Sequence, residues 1–279
     1  MSDWPRPLRV VYCTRGGLFG AIVLRALRAC AEIEVCAVVR SSRNFHPRFG
    51  FVRGALSYIR CSGIGYALYL LCATSLADFL CGLGAIGCVP TRSRAGGPRV
   101  HTTRDINGPE SLRFLNDCAP DLLISAFFDQ RLRESVLAVP AYGCVNIHPS
   151  LLPAFKGVDP VLQAQLHRAE VGVTVHQMNP ALDAGEILAQ RAIRTQRHAS
   201  VFEVTATLFS EGAKLLTSWI DRLRHHERGT PQTSAGSYQS WPTRAEIRSL
   251  RASGGSLLRL SDLTKLLRHK PLLPKTGGT

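Results

Sequence analysis

Short apolar runs alternate along the chain with segments in which apolar residues recur at helical spacing, as far as Leu223. Brief apolar runs bounded by Gly, Pro or charged residues indicate buried strands, and their alternation with helices indicates an α/β fold with a parallel sheet. The predicted strands are 8–13, 34–39, 99–103, 121–128, 143–148, 171–178 and the extended segment 183–194. The predicted helices are 18–30, 108–119, 129–139, 159–169 and 200–223.

Two segments depart from this alternation. Residues 41–97 begin basic and then become apolar between Gly63 and Leu80, over fewer residues than the roughly 20 that a membrane span needs. We therefore predict a helical insertion and no membrane span. Residues 228–279 are basic and hold at most two short helices. The expected organisation is a catalytic domain of residues 1–227, interrupted by the insertion, followed by a short basic C-terminal extension.

The composition limits the types of binding partner and the cellular compartment that we expect for this protein. Lys and Arg number 34 against 20 Asp and Glu, and this net charge of +14 indicates either an anionic partner or a solvated basic surface. The nine cysteines occur singly, with no Cys-x-x-Cys pair, which argues against a disulfide framework and a structural zinc site. The N-terminal residues lack the apolar stretch of a signal peptide, so we expect a cytoplasmic protein.

A glycine turn follows the first predicted strand. Gly16 and Gly17 lie in "TRGGLFG", which lacks the spacing of the dinucleotide fingerprint, and Arg40 stands where that fingerprint has an acidic residue after the second strand. Glycines at the start of a helix let backbone amides hold an anion. The same residues also suit a tight strand-to-helix turn, and the sequence leaves both interpretations open.

The stretch "CVNIHPSLLPAFKGVDP" contains the end of a predicted strand, followed by an unusual number of Pro and Gly residues. Asn146 and His148 are two residues apart, so both side chains lie on one face of the strand, at the sheet edge where open α/β folds bind ligands. An amide donor beside an imidazole can stabilise an oxyanion and move a proton. Asp183, in the turn "LDAGEIL", is either the carboxylate that orients the imidazole or a simple turn residue. Asp159 is predicted to cap the next helix.

Three segments in order, "NIHPSLLPAFKG", "GVTVHQM" and "LDAGEILAQ", resemble the 10-formyltetrahydrofolate-dependent formyltransferase family. That family includes glycinamide ribonucleotide, methionyl-tRNA and sugar-nucleotide amine formyltransferases and formyltetrahydrofolate deformylase. The resemblance covers roughly residues 9–223, with the insertion unmatched. It implies a Rossmann-like, open, mostly parallel sheet, with an Asn-His-Asp trio at Asn146, His148 and Asp183. It also implies 10-formyltetrahydrofolate as the formyl-donor cosubstrate, and no metal.

The resemblance also implies binding residues around the trio. By this analogy the folate pocket is built by a strand end and by the loop around Asp183, with the candidates Leu123, Ile124, Ser125, Ala126, Phe127, Leu182, Ala184 and Gly185. The candidates for contact with the acceptor are Gly16, Gly17, Phe155, Lys156 and Gly157.

Three branches of the family have features that this sequence does not show, and this limits the choice of acceptor. A glycinamide ribonucleotide enzyme has a longer phosphate loop after the first strand, a deformylase has an N-terminal regulatory domain, and a methionyl-tRNA enzyme has a large C-terminal domain. We therefore expect a formyltransferase for a small-molecule amine. A methionyl-tRNA formyltransferase of reduced size ranks second, because the basic insertion could contact tRNA. A deformylase and a non-catalytic RNA-binding protein on the same fold are the remaining alternatives, and the sequence does not indicate the oligomeric state.

Overall fold

A seven-stranded sheet lies at the centre of the protein, whose computed structural model describes residues 6–43, 59–76, 78–79, 89–196 and 199–262. In chain order its strands are β1 (Leu8–Thr14), β2 (Ile33–Ser41), β3 (Arg99–Thr103), β4 (Leu122–Ala126), β5 (Cys144–His148), β7 (Gly172–Gln177) and β8 (Ile187–Ala192). The spatial order is β3-β2-β1-β4-β5-β7-β8. The first five strands in this order pair in parallel, and β7 and β8 pair antiparallel. This is the expected open, mostly parallel sheet.

Helices cover both faces of the sheet. They are α1 (Gly17–Ala29), α2 (Ile64–Leu71), α3 (Pro109–Cys118), α4 (Glu134–Leu137), α5 (Pro160–Leu166), α6 (Val201–Thr217), α7 (Ile220–Arg224) and α8 (Arg244–Ala252). Successive residues of a strand face opposite sides, so Val10 and Tyr12 join the core beneath α1 and α6, while Val11 and Cys13 join the core beneath α3 and α4. Burial of both faces explains why these strands are continuous apolar runs.

The strand order creates a crevice at the carboxyl ends of the strands. The chain places β2 and β3 on one side of β1 and β4 on the other, and ligands of open α/β sheets bind where the order reverses in this way. Arg15, just after β1, donates its backbone N–H to the carbonyl of Phe127, just after β4, at 2.8 Å. The residues that follow β1, β4 and β5 therefore meet at one edge of the sheet.

The insertion and the extension contact each other beside this edge. Residues 59–76 of the insertion are mostly helical, with α2 continuing into a π-helical turn at Cys72–Leu76; residues 44–58, 77 and 80–88 lie outside the described residues. In the extension, β9 (Tyr238–Gln239) pairs in parallel with β6 (Lys156–Gly157). The Arg244 side chain donates to the carbonyl of Ile59 at 2.8 Å, which ties the extension to the insertion.

Three local predictions are corrected by the structure. The predicted helix 129–139 shrinks to the single turn of α4, and the helix predicted over 200–223 breaks between α6 and α7. The prediction that Asp159 caps α5 is wrong, because Asp159 has a left-handed backbone and its side chain makes no capping hydrogen bond. Ser200 does cap α6, accepting from the backbone N–H of Glu203. In the described ranges, none of the helices has both the length and the apolar character of a membrane span.

Candidate active site

The three residues of the predicted trio meet at the carboxyl end of the sheet. Asn146 and His148 lie on β5, and Asp183 lies in the turn before β8. The Oδ1 atom of Asp183 is 3.8 Å from Nδ1 of His148, and both side chains are buried. Asp183 has a φ of 50°, a left-handed conformation that Asp tolerates better than most residues. This turn directs the carboxylate back toward β5.

Backbone contacts fix the carboxylate. Oδ2 of Asp183 accepts a hydrogen bond of 2.9 Å from the N–H of Gly157. Gly157 has a φ of 97°, and a Cβ there would lie 2.3 Å from the carbonyl oxygen of Gln239, so glycine is required. From the extension, Gln232 donates its side-chain amide to the carbonyl of Asp183 at 3.0 Å. The position of the carboxylate therefore depends on β6 and the extension as well as on its own turn.

His176 is a fourth buried member of this cluster. It lies directly opposite Asn146 in the antiparallel pair of β5 and β7, and its Nε2 is 3.8 Å from Oδ1 of Asp183. Its Nδ1 is 2.7 Å from the carbonyl of Gln177, so Nδ1 carries the proton and Nε2 accepts from the Asn146 amide at 3.1 Å. Burial, together with repulsion from His148, lowers the pKa of His176 to about 4. His176 is therefore a neutral acceptor that orients the NH2 group of Asn146.

His148 is oriented by a different carbonyl. Its Nε2 is 3.1 Å from the backbone oxygen of Phe155, and because an oxygen acceptor requires an N–H partner, Nε2 carries a proton. The other ring nitrogen, Nδ1, then faces Asp183. In the neutral ring Nδ1 is an acceptor, and in the imidazolium it becomes a donor toward the carboxylate and the adjoining cavity.

Two cavities open beside this cluster. The larger has a volume of about 510 Å³, and its walls include Asn146, His148, Asp183 and Asp159. The smaller, of about 50 Å³, lies between the ends of β4 and β5 and the loop before Asp183, and is lined by Ser125, Phe128, Gln130, Arg131, Leu132, Asn146, His176, Met178, Asn179, Ala181, Leu182 and Asp183. Asn146, Leu182 and Asp183 line both cavities, so one amide and one carboxylate reach two binding spaces.

Some of the other predicted binding residues line one of the two cavities, and the rest do not. Phe127, Leu182 and Gly157 line the larger cavity, and Ser125 and Leu182 line the smaller one. The following predicted residues contribute no wall to these two cavities: Leu123, Ile124, Ala126, Ala184, Gly185, Phe155, Lys156, Gly16 and Gly17. Leu123, Ile124 and Ala126 are buried within the sheet. The binding roles of all these residues stay predictions.

The glycine turn after β1 is filled by a side chain of the protein itself. The N–H of Gly17 donates to Oδ1 of Asp78 at 3.0 Å, and the other carboxylate oxygen accepts from Arg40 at 2.7 Å. A Cβ on Gly16 would lie 2.5 Å from the Arg40 guanidinium. The N–H of Gly17 is thus occupied by a carboxylate of the chain itself, and the binding role of Gly16 and Gly17 stays a prediction.

Comparison with known proteins agrees with the three sequence motifs. The sequence pattern of the family described as "Formyl transferase" matches residues 95–220, which contain the trio and His176. Residues 95–220 therefore carry the sequence pattern of the formyltransferase family. The methionyl-tRNA formyltransferase of Roseiflexus castenholzii is 41% identical over 44% of this chain, and that of Thermotoga neapolitana is 35% identical over the same share. The match spans 39% of the length of each of these relatives.

Solved formyltransferase structures share the fold. A sugar N-formyltransferase from Shewanella has a TM-score of 0.55 at 16% identity, covering 87% of this chain and 79% of its own. A phosphoribosylglycinamide formyltransferase from Anaplasma phagocytophilum has a TM-score of 0.53 at 19% identity, covering 84% of this chain and all of its own. The predicted Rossmann-like formyltransferase fold is thus confirmed, and so is the family resemblance.

Sequence reasoning missed His176 as a site residue of this formyltransferase segment. The signal was present, since β7 alternates between Val173 and Val175 on one face and Thr174 and His176 on the other. What the sequence does not give is the antiparallel register that sets His176 opposite Asn146. Among the described residues no group of three or more His, Cys, Asp or Glu side chains is arranged to hold a metal ion. The absence of a metal from the reaction stays a prediction.

We expect His176 to be neutral with its proton on Nδ1 throughout the neutral pH range, because burial lowers its pKa to about 4. Nitrogen-detected NMR of protein labelled with ¹⁵N-histidine reports the tautomer, and a His176→Gln variant assigns the signal. An imidazolium signal for His176 at pH 6, or a proton on Nε2, would contradict the deduced orientation of Asn146.

Proposed function

We propose that this protein transfers a formyl group from 10-formyltetrahydrofolate to the amine of a small-molecule acceptor. The observation that carries the proposal is the convergence of Asn146, His148 and Asp183 on one cavity wall, within the segment that matches the formyltransferase family. The cytoplasmic location and the division between a catalytic domain and an extension at residue 227 belong to the same proposal.

The chemistry needs a donor for developing negative charge. When bound, 10-formyltetrahydrofolate supplies a formyl carbon whose oxygen becomes negative as an amine adds to it. Asn146 donates one amide hydrogen to His176, and its second amide hydrogen is left for that oxygen. His148 in its imidazolium form provides a second donor at Nδ1. Donors held in place before reaction are worth about 10² to 10³ in rate each, because they need no reorganisation.

Asp183 has two tasks in this scheme. Its negative charge lies beside His148 when that ring is an imidazolium, and it accepts the proton that the acceptor nitrogen loses. A proton must then reach N10 of the folate as the bond between the formyl carbon and N10 breaks and tetrahydrofolate leaves. The separation of 3.8 Å between Oδ1 and each imidazole is too long for a direct hydrogen bond. A water or the acceptor itself fits between these groups, so we place the proton transfer through that intervening position.

The smaller cavity suits the donor. A pterin is a flat ring with a polar edge, and the cavity combines apolar walls at Leu132, Met178 and Leu182 with the polar side chains of Gln130 and Ser125. The Arg131 guanidinium holds the carbonyl of Pro180 at 2.8 Å, which fastens the loop that covers this cavity. The volume of about 50 Å³ requires that this loop move outward to admit a pterin.

The larger cavity suits the acceptor. It shares Asn146 and Asp183 with the smaller cavity, and its volume of about 510 Å³ is within the range of small-ligand sites. Tyr238 and Trp241 from the extension contribute to its walls, as does Leu70 from the insertion. The acceptor would therefore contact the two segments that the family motifs leave out.

Formylation of methionyl-tRNA is the second candidate. The two curated relatives described above are methionyl-tRNA formyltransferases, and the net charge of +14 suits a polyanionic acceptor. The small-molecule acceptor ranks first because the larger cavity can hold a whole small molecule between the insertion and the extension.

His148→Ala and Asn146→Ala should each lower formyl transfer by at least about 10²-fold, because each removes a donor aimed at the reacting oxygen. The double variant should lose little more than either single variant, since both residues act on one intermediate. The measurement is tetrahydrofolate release with a candidate amine, beside calorimetric binding of a stable folate analogue. Single variants that fold and bind the analogue yet turn over normally would refute the assigned roles, and a wild type that binds no analogue would refute the donor.

Binding of tRNA should be weak and non-specific if the acceptor is small. A protein that neutralises phosphates releases counterions, so affinity should fall steeply from 50 to 200 mM salt and should not distinguish initiator methionyl-tRNA from elongator tRNA. Filter binding across this salt range, with both tRNAs at each point, makes the measurement. Tight binding at physiological salt with preference for the initiator tRNA would place the tRNA enzyme first.

A further inference from the structure

The outward face of α2 is exposed and apolar. Ile64, Leu68 and Leu71 recur along it at helical spacing, with exposed fractions of 67%, 52% and 45%. Phe79, after the π-helical turn, is 63% exposed. A single exposed apolar side chain is ordinary, whereas a row of them on one helix face is typical of a binding surface.

The composition of α2 is unusual for a helix that faces water. Its sequence, IGYALYLL, contains no charged residue, and its inward side chains Tyr66, Tyr69 and Leu70 belong to the core beneath α1 and α6. A helix on the surface normally carries charged residues opposite its core face, while a helix that is apolar on all sides is buried in a protein or in a membrane. The outward face of α2 therefore requires a further apolar environment.

Arginines border this face on the side of α8. The Arg244 side chain reaches the segment just before α2, and a Cβ on Gly65 would lie 2.2 Å from a guanidinium nitrogen of Arg251, so both ends of α8 lie against this region. Arg248 lies one turn from each of these arginines on α8 and is exposed, and Arg60 is exposed just before α2. An apolar row and a basic row thus lie side by side.

The charge of these four arginines is not balanced by nearby carboxylates. Among the described residues, none of the four forms an ion pair with Asp or Glu. Glu246 on α8 accepts hydrogen bonds from Thr243 and Gln163 instead. Asp78, after the π-helical turn, pairs with Arg40. The border of the apolar face therefore presents a net positive charge to a partner.

We propose that the exposed face of α2 and the arginines beside it form a docking surface for an anionic lipid bilayer. The aliphatic side chains enter the region between headgroups and acyl chains, and the guanidinium groups bind lipid phosphates beside them. In the described ranges none of the helices can span a membrane, so this attachment is peripheral. The inference is independent of formyl transfer, because α2 and α8 both lie outside residues 95–220.

A bilayer fits these side chains better than a protein partner does. The apolar row protrudes from a single helix, so a protein partner would need a matching groove, whereas a fluid bilayer closes around protruding side chains of any shape. The whole chain carries a net charge of +14, and an anionic bilayer attracts such a chain before contact. Apolar contact and charge therefore favour the same partner.

Co-sedimentation of the full chain with lipid vesicles tests this surface. We expect wild type to bind vesicles of equal parts phosphatidylglycerol and phosphatidylcholine at least about tenfold more tightly than vesicles of phosphatidylcholine alone, because each arginine near an anionic surface changes the affinity roughly fivefold. Ile64→Ser combined with Leu68→Ser should weaken binding to the mixed vesicles at least about tenfold, since less apolar surface enters the bilayer. Arg248→Glu should weaken it at least about fivefold.

Two control variants separate this surface from general effects. Ile64→Leu combined with Leu68→Met keeps the row apolar and should bind the mixed vesicles like wild type. Arg113→Glu makes the same charge change as Arg248→Glu, but on α3, which covers the opposite face of the sheet. It should bind nearly as wild type does, because salt screens distant charges. Thermal denaturation shows whether each variant is folded, and if the serine double variant is not, the comparison of Arg248→Glu with Arg113→Glu decides.

The docking surface is refuted if wild type does not bind the mixed vesicles or binds both kinds equally. It is also refuted if a folded serine double variant or Arg248→Glu binds like wild type, or if Arg113→Glu loses as much affinity as Arg248→Glu. Sedimentation velocity of wild type is measured without lipid. A dimer that the serine double variant dissociates, together with no vesicle binding, would assign the α2 face to a second copy of the chain.

Discussion

The arrangement of the site depends on one buried carboxylate. Asp183 accepts from the N–H of Gly157 through one oxygen and faces the imidazoles of His148 and His176 through the other, at 3.8 Å from each. The two rings differ in what they can do with this charge. His176 is fixed as a neutral acceptor by the carbonyl of Gln177, whereas His148 keeps Nδ1 directed at the carboxylate. The carboxylate of Asp183 thus lies beside two rings with different roles: His148 directs Nδ1 at it, and His176 orients the amide of Asn146.

The residues around Asp183 come from separate parts of the chain. The antiparallel pairing of β5 with β7 sets His176 opposite Asn146, and the parallel pairing of β6 with β9 positions Gly157. Gln232 in the extension holds the turn of Asp183. The extension and the insertion also form walls of the larger cavity through Trp241 and Leu70. Both residues lie outside residues 95–220, the part of the chain that matches the family, and in the proposed function they contact the acceptor.

The features that depend on local sequence pattern could be predicted from the sequence. Apolar runs and helical spacing located most strands and helices, and the spacing of Asn146 and His148 placed both side chains at one strand end. Contacts between distant segments were not predictable in the same way. The register that brings in His176, the use of Asp78 to fill the turn at Gly17, and the contact of Asp159 with Tyr66 in place of a helix cap all arise from tertiary packing. The cap was predicted from residue type, and Asp159 took a left-handed backbone instead.

Asp183→Asn tests the central claim most directly. Asn keeps the size of the side chain and an oxygen for the N–H of Gly157, while the negative charge between the two imidazoles is lost. Turnover with 10-formyltetrahydrofolate and an amine is measured beside thermal stability and binding of a folate analogue. The account predicts a folded variant that binds the analogue normally and transfers formyl at least about 10²-fold more slowly. A folded variant with near-normal turnover would show that Asp183 is a turn residue whose charge takes no part in the reaction.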